Sequence, residues 1–213
     1  MAVTRRVLSR VGGAVCLGLA VTALVSAART GGQLLLVAHP DGPADLVAAG
    51  GVVWAITAVG TAVLLVLWLY RARVNLATLS WARPRWAPGW AVGALVVPVL
   101  GPFMFAAMLA DVARESVPPA IPATGARLAS LAWAWLGTAL PAAVLFGAAT
   151  AAPEPASYVL LAGAEGCQLT AAVLLLVLVR TVTSWQDAQP RPWSAPSVPA
   201  PRQPLPGDAT MRT

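Results

Sequence analysis

Charged residues are scarce in this chain, and lysine is absent from it. Only 10% of the 213 residues are charged, all fourteen basic residues are Arg, and 58% of the residues are hydrophobic. Soluble domains carry about 25% charged residues, and a soluble fold of this size keeps a polar exterior. The composition therefore excludes an ordinary soluble domain and indicates an all-α integral membrane protein.

Residues that commonly bind metals or act as nucleophiles are also few. The chain has two cysteines and one histidine. Cys16 and Cys167 lie within apolar runs, and His39 lies in a turn-rich segment beside Pro40 and Asp41. The sequence contains no Ser-His-Asp set, no phosphate-binding loop and no His-Glu-x-x-His helix. We therefore predict no metal site, no cofactor and no enzyme activity.

The chain has a net charge of +6. In other proteins, a positive net charge often indicates nucleic-acid binding. Here the arginines flank apolar runs and form no separate basic domain, which favours a membrane surface instead. The predicted partners are the lipid bilayer with its anionic lipids, and other membrane proteins, and no nucleic acid is expected.

Five long apolar stretches follow one another along the chain. A helix needs about 20 residues to cross a hydrocarbon core roughly 30 Å thick. Four of the stretches are predicted to span the bilayer, at about 9–28, 50–70, 127–150 and 158–181. The remaining stretch, at about 88–112, contains Pro98, Gly101 and Pro102. Because two prolines break a helix, this segment is predicted to re-enter the membrane or to lie in its interface.

The distribution of arginines distinguishes four spans from five. Basic residues near span ends remain on the cytoplasmic side. With five spans, seven arginines lie inside and seven outside, whereas with four spans thirteen lie inside and only Arg29 lies outside. We therefore predict a four-span helical bundle with a broken segment, and five full spans are the alternative. Both termini are then cytoplasmic, and the predicted location is the bacterial plasma membrane.

The two ends of the chain differ from the bundle. Residues 25–27 form an acceptable signal cleavage site, but further spans follow them, so a retained first helix is predicted and cleavage is the alternative. One transmembrane domain is predicted over residues 1–185. Residues 186–213 contain seven prolines and little apolar surface, which predicts a disordered cytoplasmic tail.

Arginines and tryptophans alternate over residues 68–86, which begin in the last turn of the second predicted span and continue beyond it. Tryptophan is typical of the headgroup layer, and an arginine near an anionic membrane surface contributes about 1 kcal/mol. The candidate lipid- or partner-binding residues are Arg71, Arg73, Asn75, Arg83, Arg85 and Trp86. The alternative is that the arginines only fix the topology. Farther along the chain, Asp111, Arg114 and Glu115 are expected on a solvated helix face, with pairing along the helix as the alternative.

Glu165 lies within the last predicted span, and Gln168 follows it by about one turn. An ionisable residue inside a span is costly and is by default a candidate functional group. No arginine is expected at the same depth, because Arg29 and Arg127 lie at the ends of predicted spans. We therefore predict an uncharged Glu165 that faces the bundle interior and donates a hydrogen bond to a neighbouring helix.

Three blocks of sequence resemble a known family. They are WLYRARVN at residues 68–75, WAPGWAVGALVVP at 86–98 and LADVARES at 109–116. Together they resemble the actinobacterial multi-pass membrane proteins known as Domain of Unknown Function 4328, over roughly residues 50–185. The resemblance implies an architecture and no activity. The function predicted from the residues is a non-enzymatic membrane protein that binds a partner or lipid through its Arg- and Trp-rich loop. The alternative is a small transporter or channel that uses Glu165 and the broken segment.

Overall fold

The regular secondary structure is entirely α-helical in the part of the chain that the structure describes. A computed structural model describes residues 2–39, 44–97, 100–154 and 156–189, and these contain no strand. The helices are α1 (Ala2–Ala38), α2 (Ala44–Leu76), α3 (Trp90–Val96), α4 (Gly101–Glu115), α5 (Pro122–Ala151) and α6 (Ala156–Ala188). The predicted all-α class is confirmed.

Four of these helices are long and apolar enough to cross a membrane. Their candidate spans are Leu8–Leu36, Ala49–Leu76, Pro122–Ala151 and Ala156–Ala188. Helices α3 and α4 have only 7 and 15 residues, so neither reaches the length of a span. The chain is therefore a multi-pass membrane protein with four spans and a broken segment, as the arginine count predicts.

The helices extend beyond the limits predicted from charge. The first predicted span ends before Arg29, whereas α1 continues to Ala38. Arginine is a good helix former, so a single arginine does not end a helix whose neighbours can accommodate its charge. As a result, Arg29 lies within a long helix of the bundle and not at its end.

Helix α1 packs between α2 and α6. Helix α6 also packs along α5, and α5 packs along α4. Helices α2 and α5 have no Cα atoms within 8 Å of each other. A groove therefore separates α2 from α5, and its floor is formed by α1 and α6.

One face of α1 is buried along nearly its whole length, at spacings that alternate between four and three residues. The residues on this face are Leu8, Gly12, Val15, Leu19, Thr22, Ser26, Arg29, Gln33 and Leu36. The face is mainly apolar up to Leu19 and mainly polar from Thr22 to Gln33. Its apolar half contributes to a core that also includes Trp68 and Leu69 of α2 and Leu178 of α6.

The broken segment begins and ends at the same end of the bundle. Residues just before α3 are hydrogen-bonded to the last turn of α4. The backbone N–H of Arg83 donates to Glu115 Oε2 at 2.8 Å, and that of Arg85 donates to Asp111 Oδ2 at 3.1 Å. Because entry and exit touch, α3 and α4 form a hairpin, and neither helix is a candidate membrane span. We call the end of the bundle that holds residues 81–86 and 111–115 the hairpin end, and the other end the opposite end.

The turn of this hairpin depends on Gly101 and Pro102. A side chain at Gly101 would collide with the carbonyl oxygen of Ala94, so α3 and α4 meet where a Cβ has no room. Pro102 lies in the first turn of α4, where its missing N–H removes no helical hydrogen bond. Pro98 lies outside the described residues.

The predicted boundary of the tail falls inside α6. That helix continues to Ala188, and Gln186 is buried, where its amide donates to Ser116 Oγ at 2.8 Å. The rest of the predicted disordered tail, from residue 190 to residue 213, lies outside the described residues.

Candidate functional sites at the two ends of the bundle

A buried ion pair joins α2 to α4 at the hairpin end. Arg73 Nη1 lies 3.3 Å from Asp111 Oδ2, the Arg73 side chain is fully buried, and that of Asp111 is 8% exposed. Arg73 Nη2 also donates to the backbone carbonyl of Trp86. Since Asp111 accepts from the Arg85 backbone as well, one carboxylate fixes α2, the loop before α3 and α4 together.

The prediction that Arg73 contributes to an exposed lipid-binding surface is wrong. Residues two apart on a helix do not share a face, so Arg71 is exposed while Arg73 is turned into the protein. The expectation of a solvated face is wrong for Asp111 too, because Asp111 pairs with Arg73 across 38 residues of sequence. The structure brings these two residues together as an internal clamp.

The other predicted residues of the loop lie at or near the surface. Arg71, Arg83 and Arg85 are exposed. Asn75 is partly buried, and its backbone carbonyl accepts from Thr78 Oγ1 at 2.7 Å. Trp86 is partly buried and packs edge-on against Trp90, with ring centroids 6.2 Å apart. Binding of lipid or partner by these residues stays a prediction.

Two cavities open at the hairpin end, and Arg114 borders both. One, of about 330 Å³, is lined by Arg85, Trp86, Ala107, Ala110, Asp111, Arg114 and Trp133. The other, of about 490 Å³, has Trp81, Arg83 and Glu115 in its wall. We call the first the arginine cleft. Arg114 and Trp133 are absent from the residues predicted for this site, although Arg114 lies one helical turn after Asp111.

Glu165 lies at the opposite end, and it is paired with an arginine. Arg29 Nη1 lies 2.9 Å from Glu165 Oε1, with side chains 10% and 6% exposed. The prediction of a carboxyl group without a cationic partner, donating to a neighbouring helix, is therefore wrong. The physical reason is the greater length of α1, which carries Arg29 alongside α6. Gly50 of α2 provides room, since a Cβ there would lie 3.1 Å from Arg29 Cγ.

An aromatic side chain covers this pair. The Arg29 guanidinium carbon lies 5.4 Å from the centroid of the Trp54 ring, a cation–π contact. Trp54 Nε1 donates to Ser26 Oγ at 2.9 Å, and the Trp54 ring stacks on Phe146 of α5 at 6.3 Å between centroids. Trp54 thus connects α1, α2 and α5 at the opposite end.

Several buried polar atoms near Glu165 have no hydrogen-bond partner among the described residues. They are Glu165 Oε2, Arg29 Nε and Gln33 Oε1. Hydroxyl groups of α2 and α6 bond to other acceptors: Thr61 pairs with Thr22 at 3.1 Å, and Thr57 and Thr170 bond to carbonyls of their own helices. Gln168, the other predicted intramembrane polar residue, lines two adjoining cavities in the groove between α2 and α5.

Sequence reasoning missed the polar face of α1. Thr22, Ser26, Arg29 and Gln33 follow one another at spacings of four, three and four residues. These spacings place polar groups on one helix face inside an apolar run, which is a signal that they point into the protein. Within residues 2–39, 44–97, 100–154 and 156–189, no group of three or more His, Cys, Asp or Glu residues is placed to hold a metal ion.

Comparison with known proteins gives a family. A family model described as Domain of unknown function (DUF4328) matches residues 39–184. Searches of curated proteins and of solved structures found no match. The matched residues include α2 to α5, most of α6, both members of the Arg73–Asp111 pair and Glu165, whereas Arg29 precedes them. Because the model matches more than half of the chain, this protein belongs to the DUF4328 family.

Proposed function

We propose that this protein is a non-enzymatic membrane protein that binds anionic phospholipid at its hairpin end. The observation that carries the proposal is the arginine cleft. Two exposed arginines, Arg85 and Arg114, flank a cavity with an apolar floor and two tryptophans in its wall. Guanidinium groups bind phosphate through paired hydrogen bonds, and tryptophan is enriched at the membrane interface.

The electrostatics of the cleft support a phosphate ligand. Asp111 also lines the cleft, but its Oδ2 is already occupied by Arg73 and by the Arg85 backbone. The side chains of Arg83, Arg85 and Arg114 form no ion pair with the carboxylates of the described residues. Their charges are therefore available to a ligand, and each contributes about 1 kcal/mol near an anionic surface.

The orientation that we propose places the hairpin end in the bacterial cytoplasm. Of the nine arginines whose side chains the structure describes, only Arg29 lies at the opposite end. The others are Arg10, Arg71, Arg73, Arg83, Arg85, Arg114, Arg127 and Arg180. This asymmetry agrees with the rule that basic residues stay inside. Both ends of the described chain then lie in the cytoplasm, on the leaflet surface that carries a negative potential.

Lipid retention tests the proposal. The full chain would be purified in detergent from membranes with phosphatidylglycerol and phosphatidylethanolamine, and retained lipid measured by mass spectrometry. The variant Arg85→Gln/Arg114→Gln is expected to lose most of its phosphatidylglycerol. The matched control Arg10→Gln/Arg127→Gln removes two exposed arginines that line neither cavity, and it is expected to retain the lipid.

Equal retention by the two double variants would contradict lipid binding in the cleft. If lipid retention were unchanged while a membrane-protein partner was lost from Arg85→Gln/Arg114→Gln in a pull-down, the cleft would be a partner-binding site instead.

The geometry supports binding over transport. The transporter hypothesis requires Glu165 and the broken segment to share one path, but they lie at different ends of the bundle. The distance along α6 from Glu165 to Gln186 is about 31 Å at helical rise. Gln186 contacts the residue that follows α4. Between these levels, Val15, Leu65 and Leu178 belong to an apolar core.

A further inference from the structure

The groove between α2 and α5 contains two adjoining cavities that meet at Ala139 and Gln168. The deeper one, of about 170 Å³, has Ala58, Ala62 and Trp135 in its walls. The other, of about 280 Å³, extends to Trp54, Phe146 and Glu165. From Trp135 to Phe146 the groove runs about 16 Å along α5 at helical rise. It is therefore long, narrow and mostly apolar.

The helices that wall the groove carry exposed apolar side chains at the depth of the hydrocarbon of the bilayer. Ile56, Val59 and Val63 of α2 and Val144 of α5 are at least 53% exposed, and all lie within candidate spans. An occupant therefore enters from the bilayer. A transmembrane helix is about 10 Å across, which is too wide for cavities of these volumes, whereas a single alkyl chain is narrow enough to fit.

The polar end of the groove determines what the occupant carries. Glu165 is 5% exposed and lines the cavity, and its Oε2 atom has no hydrogen-bond partner in the described structure. On its ion-pair partner, Arg29 Nε likewise has no acceptor. A buried polar atom without a partner is costly, so a ligand in this cavity that donated a hydrogen bond to Glu165 Oε2 would be stabilised.

A hydroxyl group fits this requirement. The Glu165 carboxylate only accepts hydrogen bonds and Arg29 only donates them. A phosphate or carboxylate headgroup would offer no donor and would be repelled by Glu165. An ammonium group would compete with Arg29 for the carboxylate. A hydroxyl is neutral, donates one hydrogen bond and accepts others.

We propose that the groove between α2 and α5 binds a long-chain lipid alcohol, with its hydroxyl at Glu165 and its hydrocarbon chain along Ala139 towards Trp135. This site lies at the opposite end from the arginine cleft. It recognises a neutral headgroup rather than an anionic one, so the two sites bind chemically different lipids.

Photolabelling of the purified full chain tests this site. The probe is an 18-carbon alcohol with a diazirine at mid-chain, and the labelled peptides are mapped by mass spectrometry. Labels are expected on α2 between Ala58 and Ala62 and on α5 between Ala139 and Ala143. Oleyl alcohol is expected to compete for this labelling roughly tenfold better than its methyl ether, the scale of one hydrogen bond to a charged group.

Two variants separate recognition of the hydroxyl from simple filling of the groove. Glu165→Gln replaces the accepting oxygen by a donating amide and is expected to abolish the advantage of the alcohol over the ether. Ala139→Leu fills the point where the two cavities meet and is expected to abolish labelling. Ala134→Leu, an equal change at an exposed position that lines neither cavity, is expected to leave labelling unchanged.

Equal competition by the alcohol and the ether in the unaltered chain would overturn the proposal, and this result does not depend on whether any variant folds. Labels outside the groove would overturn it too. So would photoproducts that join two copies of the chain through the groove, because the occupant would then be a second copy.

Discussion

Among the described residues, two buried arginine–carboxylate pairs lie one at each end of the bundle, and they differ in how far the carboxylate is satisfied. At the hairpin end, Asp111 Oδ2 accepts from both the Arg73 guanidinium and the Arg85 backbone. At the opposite end, Glu165 Oε1 contacts Arg29, while Glu165 Oε2 is buried without a partner among the described residues. Each arginine leaves its Nε unpaired, so the difference lies in the acid and its surroundings.

This difference indicates that the two arginine–carboxylate pairs have different roles. The Arg73–Asp111 pair binds backbone groups of the loop before α3, so it holds the hairpin in place. The Arg29–Glu165 pair borders a cavity and has hydrogen-bonding capacity to spare, so it is available to a ligand. A buried ion pair is weak evidence for stability by itself, and the additional partners distinguish the structural pair from the other.

The largest expected effect comes from breaking the hairpin pair. Arg73→Met leaves Asp111 buried without its guanidinium, and removal of one partner of a buried pair costs about 3–5 kcal/mol. The free energy of unfolding in detergent, measured by denaturant titration, should fall by that amount. The control Arg71→Met removes an exposed arginine of the same helix and should change it by about 0.5 kcal/mol or less.

Combining Arg73→Met with Asp111→Leu should recover part of this loss, since apolar replacements of buried pairs are often tolerated. An Arg73→Met variant as stable as Arg71→Met would remove the distinction between the two pairs.

A smaller effect is expected at the opposite end. Arg29 makes one ion-pair contact and a stacking contact on Trp54, so Arg29→Met should lower the free energy of unfolding by about 1–3 kcal/mol. A double-mutant cycle with Glu165→Gln should give a smaller coupling energy than a cycle with Arg73→Met and Asp111→Asn. A larger coupling energy for Arg29 and Glu165 than for Arg73 and Asp111 would contradict the assignment of the structural role to the Arg73–Asp111 pair.

The smallest effect is expected between the two ends, where α1 approaches α2. A Cβ at Gly18 would lie 2.7 Å from Thr61 Oγ1, so Gly18→Ala must displace Thr61 from its hydrogen bond with Thr22. Intramembrane hydrogen bonds of this kind contribute about 0.6 kcal/mol, and a loss of about that size should appear as a lower melting temperature. Gly13→Ala is the control, because a Cβ there meets nothing within 4 Å. Equal melting temperatures for the two variants would mean that the approach at Gly18 is unimportant.

The fold could be predicted from the sequence because each signal either lies within one short segment or is a count of residues over the whole chain. The hairpin follows from two prolines near Gly101 and from an arginine count that only four spans satisfy. Helix limits were predicted less well. The charge of Arg29 was taken as the end of the first span, and the Pro-rich composition after residue 185 as the start of the tail, whereas Arg29 and Gln186 both lie inside helices.

The pairings inside the bundle were not predictable in the same way. Arg73 and Asp111 are 38 residues apart, and no local pattern connects them. Arg29 and Glu165 lie on α1 and α6, and their pairing depends on how far α1 extends and on the room that Gly50 leaves. Glu165 itself could be identified because a carboxylate within a span is rare, but its partner could not. The positions of Arg83 and Arg85 at the surface agree with the sequence, whereas the cavity beside Arg85 depends on tertiary packing of α4 against α5.

The central claim is that the hairpin of α3 and α4 enters and leaves on one side of the membrane, opposite to the connection between α5 and α6. Single cysteines at Ser80, Ala120 and Glu154, three exposed positions, test it most directly in a chain whose Cys16 and Cys167 are replaced by alanine. With a membrane-impermeant thiol reagent on intact cells, we expect labelling at position 154 and none at 80 or 120 until the membrane is permeabilised. Labelling of position 120 but not of position 80 on intact cells would show that the segment crosses the bilayer and would contradict the four-span fold.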